Sequence, residues 1–325
     1  MTARQPAEWA PQAAIWTAFP SDASLWQDDL VSAQGEVAAM VFAIADNGTH
    51  VHMLVDGDDA LEAARELVDE HPGVTLWPAH FGDIWLRDTG PIFLDDGGAA
   101  GFRFNGWGGK YQLDGDDSIG GFVAEAESVG LRRHEWVLEG GAIDVDGSGR
   151  VLTTRQCLLN PNRNPGLSQE EIEARLRADL GIDTVIWLGD GLVNDHTDGH
   201  VDNLARFVAE GVVAVPAADR DDDPNRFVFD NAAADAAAAG LRVVRVPSPG
   251  PVRNGDGEIV PASYMNFIVT NGAVVVPTYG QLNDDAAVAA IGALFPGRVA
   301  IGLRADHILT GGGSFHCITQ QVPKR

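Results

Sequence analysis

The sequence predicts an α/β protein built from five small repeated units. Five times along the chain, an amphipathic helical pattern ends near a glycine, and an apolar, β-rich run follows it. These glycines are residues 73, 130, 181, 240 and 297, at spacings of 57, 51, 59 and 57 residues. A period this regular indicates a repeat architecture. A closed ring of five α/β blades with pseudo-fivefold repeats is favoured over a solenoid, and an ordinary α/β sheet with evenly sized units is the alternative.

Each unit contains the same two predicted elements. The five helices are predicted over residues 58–70, 119–129, 169–180, 226–239 and 284–295. The strands that follow them cover residues 73–77, 133–138, 184–188, 240–246 and 297–303. Shorter apolar runs at residues 102–104, 150–153, 212–215 and 273–276 predict further strands. The acidic stretch 217–224 and the Pro- and Gly-rich stretch 247–261 are predicted as surface loops.

The composition excludes several classes of protein. With 325 residues, of which 45% are hydrophobic, the chain can bury a full core, and we expect residues 1–325 to form a single catalytic domain. We expect neither a membrane span nor a signal peptide, because no apolar run is long enough for the first and the N-terminus lacks the pattern of the second. Two cysteines exclude a disulfide framework and indicate the cytoplasm.

The net charge of −25 argues against nucleic acid and anionic membranes as partners. An acidic surface would steer a small cation towards the protein. Most of the charge has a simpler interpretation, since it keeps the surface solvated. The sequence leaves the oligomeric state open, with a homo-oligomer among the options.

Cys317 is the candidate nucleophile. Three consecutive glycines, Gly311, Gly312 and Gly313, precede it closely and leave room for a small, flat group beside the sulfur. Their amides are also free to face a ligand. Far upstream, residues 200 and 202 place a histidine and a carboxylate on one side of a predicted extended segment. A single thiol with a distant histidine and acid indicates an enzyme.

Polar, glycine-bearing loops follow the predicted strands of four units. They carry Asp88 in the first unit, Glu139 in the second, His200 and Asp202 in the third, and Cys317 in the fifth. If the units form a ring, these loops converge on one axis. This convergence predicts a single active site.

Asp88 and Asp202 are candidate ligands for a planar cation. Guanidinium is such a cation, and each of its forked faces suits a bidentate carboxylate. Trp85, three positions before Asp88, could pack on it. The alternative for Asp88 is an ion pair with Arg87 or a turn before Gly90.

A metal site is a rival interpretation of the third loop. His196 and His200 are four residues apart, with Asp195, Asp198 and Asp202 nearby. Ligation from one helix face would need a helix through residues 197–199, which their turn chemistry disfavours. We therefore predict no metal.

Two further residues carry weaker signals. Glu139 precedes two glycines at a strand end, and is either a third acid of the site or a charged hairpin residue. Cys157 lies in the run 155–159, which we interpret as an apolar setting without nearby charge, and this setting predicts an inert buried thiol.

Together these residues resemble the agmatine deiminases, within the guanidine-modifying superfamily that also contains bacterial peptidylarginine deiminase. The resemblance extends over essentially the whole chain. Its motifs lie at residues 6–9, 85–91, 104–109, 138–141, 157–165, 199–203, 263–267 and 311–321. It implies the pentein fold, a five-bladed α/β propeller, which agrees with the number of repeats.

The resemblance also assigns roles to the candidate residues. The implied nucleophile, general acid and base, and two guanidinium-binding carboxylates are Cys317, His200, Asp88 and Asp202. The implied pocket residues are Trp85, Glu139, Trp107, Asp198, Gly312 and Gly313. Trp107 is similar to the agmatine branch, because the peptidylarginine branch is expected to carry an arginine there for a carboxylate.

One position departs from the family pattern. Agmatine deiminases often carry Glu-Thr-Asn-Gly-His before the catalytic histidine, whereas this chain has His196 in place of the glutamate. The change removes an anion near the expected position of a distal ammonium group. We expect Asp198 to replace that charge, and the exact amine substrate stays open.

The implied reaction is hydrolysis of agmatine, a small cationic guanidine, to N-carbamoylputrescine and ammonia. It would proceed through a covalent thiouronium on Cys317, without a cofactor, and would serve polyamine metabolism. One alternative is a deiminase of arginine or another guanidine. A second is a metal-dependent guanidine hydrolase that uses His196 and His200 and releases urea. A third, a binding protein without chemistry, is disfavoured by the complete catalytic set.

Overall fold

Five separate small sheets with helices between them form the structure, which confirms the predicted α/β class. The computed structural model describes residues 3–68 and 71–325. Asp69 and Glu70, the end of the first predicted helix, lie outside the described residues. Four of the sheets have three strands and the other has four.

The strands are numbered in chain order. The first sheet contains β1 (Gln12–Ala18), β2 (His50–Val55), β3 (Val74–Pro78) and β16 (Thr319–Pro323). The second contains β4 (Ile92–Phe93), β5 (Ala99–Arg103) and β6 (Leu131–Val137), and the third contains β7 (Ile143–Val145), β8 (Arg150–Thr154) and β9 (Thr184–Leu188). The fourth contains β10 (Arg206–Ala209), β11 (Val212–Ala217) and β12 (Arg242–Pro247), and the fifth contains β13 (Ile268–Val269), β14 (Ala273–Thr278) and β15 (Val299–Arg304).

The helices differ widely in length. The longer ones are α2 (Leu30–Ala45), α3 (Asp58–Val68), α6 (Ile119–Ala126), α8 (Gln169–Leu180), α9 (Arg226–Ala238) and α10 (Asp284–Gly292). The short ones are α1 (Ala23–Trp26), α4 (Leu86–Thr89), α5 (Gly106–Gly109), α7 (Arg155–Leu158) and α11 (Asp306–Thr310), with 3₁₀ turns at Gln27–Asp29, Gly140–Ala142 and Val201–Asn203. Within the described ranges, no helix has the length and apolar character that a membrane span requires.

The last four sheets share one chain path. Their first two strands are antiparallel neighbours, and a crossover through α6, α8, α9 or α10 brings the third strand parallel to the second. The predicted helix and strand pairs of these units are confirmed. Three helices are shorter than predicted. α6 and α10 end three residues early, at Ala126 and Gly292, and α9 ends one residue early, at Ala238.

The first sheet is built differently from the prediction. It joins the two ends of the chain, because β16 lies antiparallel to β1, and α2 then brings β2 parallel to β1. The predicted pair, α3 and β3, adds a fourth strand beside β2. Gly73, the first of the five marker glycines, therefore precedes the additional strand β3 and does not mark the repeated unit. The sequence pattern missed α2, whose only charged residue is Glu36 and whose periodicity is therefore weak.

Contacts between the sheets follow a cyclic order. β16 contacts β4, β7 contacts β10, and α10 of the fifth sheet contacts β12 of the fourth. The second and third sheets share one apolar cluster, which includes Trp136 and Ile143, and α2 of the first sheet packs on β14 and β15 of the fifth. A closed ring of five units requires this order, and the pairing of β16 with β1 joins its ends.

A buried ion network ties the N-terminal segment to the centre of the molecule. Arg206 is only 1% exposed and pairs with Glu8 and with Asp144, whose Oδ1 lies 2.8 Å from its Nε. His316 Nε2 lies 3.2 Å from Glu8 Oε2. Burial raises the pKa of Glu8, but the positive charges of Arg206 and His316 outweigh it and hold the pKa far below its ordinary value. Glu8 therefore stays ionised inside the protein.

Replacement of Arg206 by alanine should strongly destabilise the fold, because it removes the guanidinium that Glu8 and Asp144 share and leaves both carboxylates buried. We expect the free energy of unfolding, measured with urea, to fall by about 3–5 kcal/mol. The matched control is Arg220→Ala, which removes an exposed pair with Asp222 and should cause no measurable change. Equal losses in the two variants would contradict the structural role of the network.

Candidate active site

Loops that follow the final strands of all five sheets meet at one site. Asp88 follows β3, Gly141 follows β6, Asp202 follows β9 and Cys317 follows β15, as the ring hypothesis predicted. The fourth loop carries no site residue that was predicted from the sequence. That loop, after β12, supplies Asn266, which contacts the sulfur of Cys317.

Cys317 lines a cavity of about 240 Å³. Trp85, Asp88, Trp107, Gly312 and Gly313 also line it, as predicted. The other four predicted residues do not line the cavity. Glu139, His200 and Asp202 have no exposed surface, and Asp198 is described below. The structure therefore brings the predicted residues together in two layers, one open to a ligand and one buried.

Asn266 orients the thiol of Cys317. Its Nδ2 donates to Sγ at 3.1 Å, and its Oδ1 accepts from the backbone N–H of Cys317 at 3.2 Å. Burial, together with the carboxylates of Asp202 and Asp88, raises the pKa of this thiol well above its ordinary value of 9.0. The free protein therefore holds Cys317 as a neutral thiol at neutral pH.

His316 orients Asp202. Its Nδ1 lies 2.8 Å from Asp202 Oδ2, and Cys317 Sγ lies 3.5 Å from the same oxygen. Burial raises the pKa of Asp202, but the hydrogen bond and charge of His316 bring it below its ordinary value. Asp202 Oδ1 has no hydrogen-bond partner in the described part of the chain. An ionised oxygen is thus available to a cation.

The segment around Asp202 was predicted to be extended, and this prediction is wrong. Val201–Asn203 forms a 3₁₀ turn, in which the N–H of Leu204 donates to the carbonyl of Val201 at 2.9 Å. A tight turn does not alternate its side chains, so His200 and Asp202 reach their positions through the turn rather than through strand periodicity.

Asp88 is held by two donors. Its Oδ1 accepts from the N–H of Gly141 at 2.8 Å, and its Oδ2 accepts from Nε1 of Trp107 at 2.9 Å. Each oxygen keeps a lone pair for a ligand. Burial raises the pKa of Asp88, and the charge of His200 partly offsets this rise. The alternative pair with Arg87 is wrong, since that guanidinium binds two glutamines near the C-terminus.

His200 is surrounded by acidic groups. Its Nδ1 lies 3.8 Å from Asp88 Oδ2. Burial alone would lower the pKa of His200, but Asp88, Cys157 and Glu139 outweigh it and raise the pKa well above its ordinary value of 6.5. The imidazole is therefore cationic at neutral pH and can donate a proton.

The expected setting of Cys157 is wrong. The residue is fully buried, as predicted, but Glu139, His200 and Arg163 lie near enough to act on the pKa of its thiol. Burial has the largest effect on the pKa of the Cys157 thiol, and it raises that pKa. The fold brings these charges from other loops, where the local sequence around Cys157 could not reveal them.

Glu139 is a buried acid rather than a hairpin residue. Its Oε1 lies 2.6 Å from Nε of Arg163, and both side chains are fully buried. Arg163 also reaches Asp198, with Nη1 2.6 Å from Oδ2. Arg163 therefore braces the second and third loops from behind the cavity.

The expectation that Asp198 supplies charge to the cavity is wrong. Its carboxylate is bound by Lys110 at 2.5 Å, by Asn162 at 2.9 Å and by Arg163, and it does not line the cavity. His196 does line it, and its Nδ1 lies 3.3 Å from the hydroxyl of Tyr111. The outer part of the cavity therefore carries an imidazole and a phenol.

The geometry also separates the two histidines of the rival metal site. His196 lines the cavity, whereas His200 is fully buried. In residues 3–68 and 71–325, the group with metal-ligand spacing consists of His200 with Glu139 and Cys157, and His196 is not part of it.

Trp85 explains two of the three glycines before the nucleophile. A Cβ added to Gly311 or Gly313 would lie 2.6 Å from the indole of Trp85, and one at Gly313 would also lie 3.2 Å from Sγ of Cys317. Trp85 Nε1 donates to Asp83 Oδ2 at 2.8 Å, which fixes the ring. The glycines thus make room for a side chain of the protein as well as for a ligand.

Sequence reasoning missed the roles of Asn266, His316 and Gly141. A Cβ on Gly141 would lie 2.6 Å from Nδ1 of His200 and 3.0 Å from Oδ1 of Asp88. All three residues lie inside motifs that carried the family resemblance. Nothing local in those motifs indicates which atoms they contact.

Solved structures define the class of this fold and site. Agmatine deiminase of Enterococcus faecalis matches with a TM-score of 0.92 and 34% identity, over 100% of this chain and 96% of that one. C. jejuni agmatine deiminase, in a cysteine-to-serine variant with substrate bound, matches with a TM-score of 0.89 and 26% identity, over 100% and 97%. The fold is that of the pentein-type, guanidine-modifying enzymes.

The sequence matches the family of Porphyromonas-type peptidyl-arginine deiminases over residues 4–323, and the chain belongs to that family. Agmatine deiminase of Stutzerimonas stutzeri (strain A1501) is 39% identical over 98% of this chain and 95% of that protein. Agmatine deiminase of Ectopseudomonas mendocina (strain ymp) is 38% identical over 98% and 95%. The predicted relationship to agmatine deiminases is confirmed.

Gly141→Ala should inactivate the site without unfolding the protein, because the new Cβ displaces His200 and Asp88. A shift of about 1 Å can reduce kcat/KM by about 100-fold, and we expect at least this loss. Gly130→Ala is the control, since a Cβ there meets no atom within 4 Å. Steady-state kinetics that change equally in both variants would contradict this role.

The raised pKa of Cys317 predicts slow alkylation of the free protein. Only the thiolate reacts with iodoacetamide, so the rate at Cys317 should still be rising with pH at pH 9.0. Mass spectrometry of the peptide that contains Cys317 separates its reaction from that of Cys157. A plateau reached well below pH 9.0 would contradict the neutral thiol.

Proposed function

We propose that this protein hydrolyses agmatine to N-carbamoylputrescine and ammonia. The observation that carries the proposal is the meeting of Cys317, His200, Asp88 and Asp202 at one cavity. The agmatine deiminases among its relatives, one of them solved with substrate bound, support the same reaction. We also propose that residues 1–325 act as a single catalytic domain in the cytoplasm.

The two carboxylates would hold the guanidinium beside the sulfur. Asp202 Oδ1 is free of other partners, and both oxygens of Asp88 keep one lone pair. Two carboxylates facing one planar cation can each form paired, charge-assisted hydrogen bonds. A bound cation would offset the cost of burying these acids and orient the guanidinium carbon towards Sγ of Cys317.

The substrate itself would activate the nucleophile. Burial and the two acids hold Cys317 neutral, and the positive charge of guanidinium opposes both acids. Cys317 would lose its proton to solvent as the cation binds, since His200 is already protonated, and Sγ would attack the guanidinium carbon. Asn266 Nδ2 keeps the sulfur oriented and stabilises the thiolate by its hydrogen bond.

His200 would move the protons of both later steps. As a cationic imidazole it donates a proton to the leaving nitrogen, the C–N bond breaks and ammonia departs. A thiouronium remains on Cys317. The now neutral His200 removes a proton from water, the hydroxide attacks the same carbon, and the C–S bond breaks. The hydroxyl proton of the adduct passes to the sulfur, so the products are the ureido compound and the restored thiol.

The lining of the cavity favours agmatine over arginine. Leu25, Leu113 and Tyr111 suit an aliphatic chain, and no lysine or arginine lines this cavity within the described residues. The α-carboxylate of arginine would therefore enter without a cationic partner, which is costly in a confined site. Lys110 lines an adjoining outer cavity, but its ammonium is already bound by Asp198.

The test is to incubate the purified protein with agmatine or arginine, with and without chelator, and to assay ammonia and urea separately. We expect ammonia and N-carbamoylputrescine, unaffected by chelator. For arginine we expect kcat/KM to be lower by about 100-fold or more, which corresponds to about 3 kcal/mol. Urea that disappears with chelator would instead establish a metal-dependent hydrolase.

Cys317→Ser is the control for the covalent mechanism. A serine hydroxyl is a far weaker nucleophile than a thiolate, so turnover should fall to background while the thermal unfolding temperature stays close to that of the wild type. Full activity in this variant would overturn the proposed mechanism. Equal rates with agmatine and arginine would overturn only the assignment of substrate.

A further inference from the structure

A second thiol lies next to the histidine of the site. Cys157, Glu139 and His200 are all fully buried. One ligand atom from each, a sulfur, a carboxylate oxygen and a ring nitrogen, lies within 4.8 Å of the others. The three residues come from α7 and from the loops after β6 and β9. The proposed reaction gives Cys157 no part.

The bonding capacity of this cluster is largely unused. Arg163 donates to Oε1 of Glu139 at 2.6 Å, but Oε2 of Glu139 and both ring nitrogens of His200 have no hydrogen-bond partner in the described part of the chain. Cys157 is a free thiol. Buried polar atoms without partners are rare in folded proteins. These three atoms, together with the Cys157 thiol, could bind a group that accepts electron pairs, such as a metal ion.

We infer that Glu139, Cys157 and His200 form an inhibitory site for a divalent transition-metal ion of the zinc class. Thiolate, imidazole and carboxylate are the protein ligands of Zn²⁺, whereas Mg²⁺ and Ca²⁺ prefer oxygen alone. On binding, the Cys157 thiol and the cationic ring of His200 each release one proton to solvent, and the sulfur and the freed ring nitrogen bond to the ion. Because bonds to zinc are about 2.0–2.3 Å long, the ligands need to move together only slightly, and water completes the coordination.

An ion at this site would stop turnover through His200. A metal-bound imidazole is no longer an imidazolium, so it lacks the acidic proton that the leaving ammonia requires. Asp88 and Asp202 are not ligands of the ion, so a guanidinium group can still bind. Inhibition should therefore lower kcat more than it raises KM, and saturating agmatine should not relieve it.

The rival location for an inhibitory ion is Cys317, and cobalt spectroscopy separates the two. Co²⁺ bonded to thiolate gives a near-ultraviolet charge-transfer absorption. We expect this absorption when Co²⁺ is added to Cys317→Ala, and not when it is added to Cys157→Ala. Absorption that persists in Cys157→Ala, or is absent from Cys317→Ala, overturns the proposal.

Zinc inhibition provides a second, independent test. The Zn²⁺ concentration for half inhibition should rise by about tenfold or more in Cys157→Ala, since even changes around metal ligands weaken binding by that factor. Each rate is compared with that of the same variant without metal. Equal sensitivity of the wild type and Cys157→Ala overturns the proposal. The zinc test requires the proposed deiminase activity, whereas the cobalt spectrum does not. Failure of the metal-site proposal can therefore be distinguished from failure of the proposed function.

Cys157 belongs to the apolar core, so its alanine variant leaves a small void. Cys157→Ser keeps the size of the side chain but lacks the thiolate, and it should match Cys157→Ala in both assays. Thermal unfolding followed by circular dichroism identifies any loss of fold. A serine variant with wild-type cobalt absorption and wild-type zinc sensitivity would overturn the proposal even if the alanine variant did not fold.

Discussion

Burial of balanced charge around Arg206 is the constraint on which the rest of the structure depends. Its guanidinium holds Glu8, Glu8 contacts His316, and His316 bonds to Asp202. Each buried charge thus has an opposite partner, which offsets the cost of removing it from water. The structural ion pair of Arg206 and Glu8 is therefore connected through His316 to Asp202 of the active site. This connection fixes both the charge and the orientation of the Asp202 carboxylate.

The same burial explains why the site should react only with a cation. Low solvent exposure and two acids keep Cys317 protonated, and the acids around His200 keep it charged. In this resting state the nucleophile, Cys317, is a neutral thiol, and the proton donor, His200, is protonated. A guanidinium group supplies the one charge that opposes Asp88 and Asp202, so binding and activation of the thiol become the same event.

The chain path makes this arrangement possible. Pairing of β16 with β1 joins the ends of the chain and brings the loop after β15 beside the loop after β3. Because every loop follows the last strand of its sheet, the cyclic contacts bring all five together. The fourth loop, which had no charged candidate, contributes the amide of Asn266. A neutral donor suits a sulfur that must become an anion.

The sequence by itself determined the helix and strand units of the last four sheets, because helical periods and terminal glycines are local properties. It also determined the reactive set of Cys317, His200, Asp88 and Asp202 through their motifs. Only the tertiary structure decided which distant charges surround each group. Asp198 turned away from the cavity towards Arg163, and Cys157 acquired charged neighbours. Burial and pairing arise between residues tens of positions apart, and no local pattern encodes them.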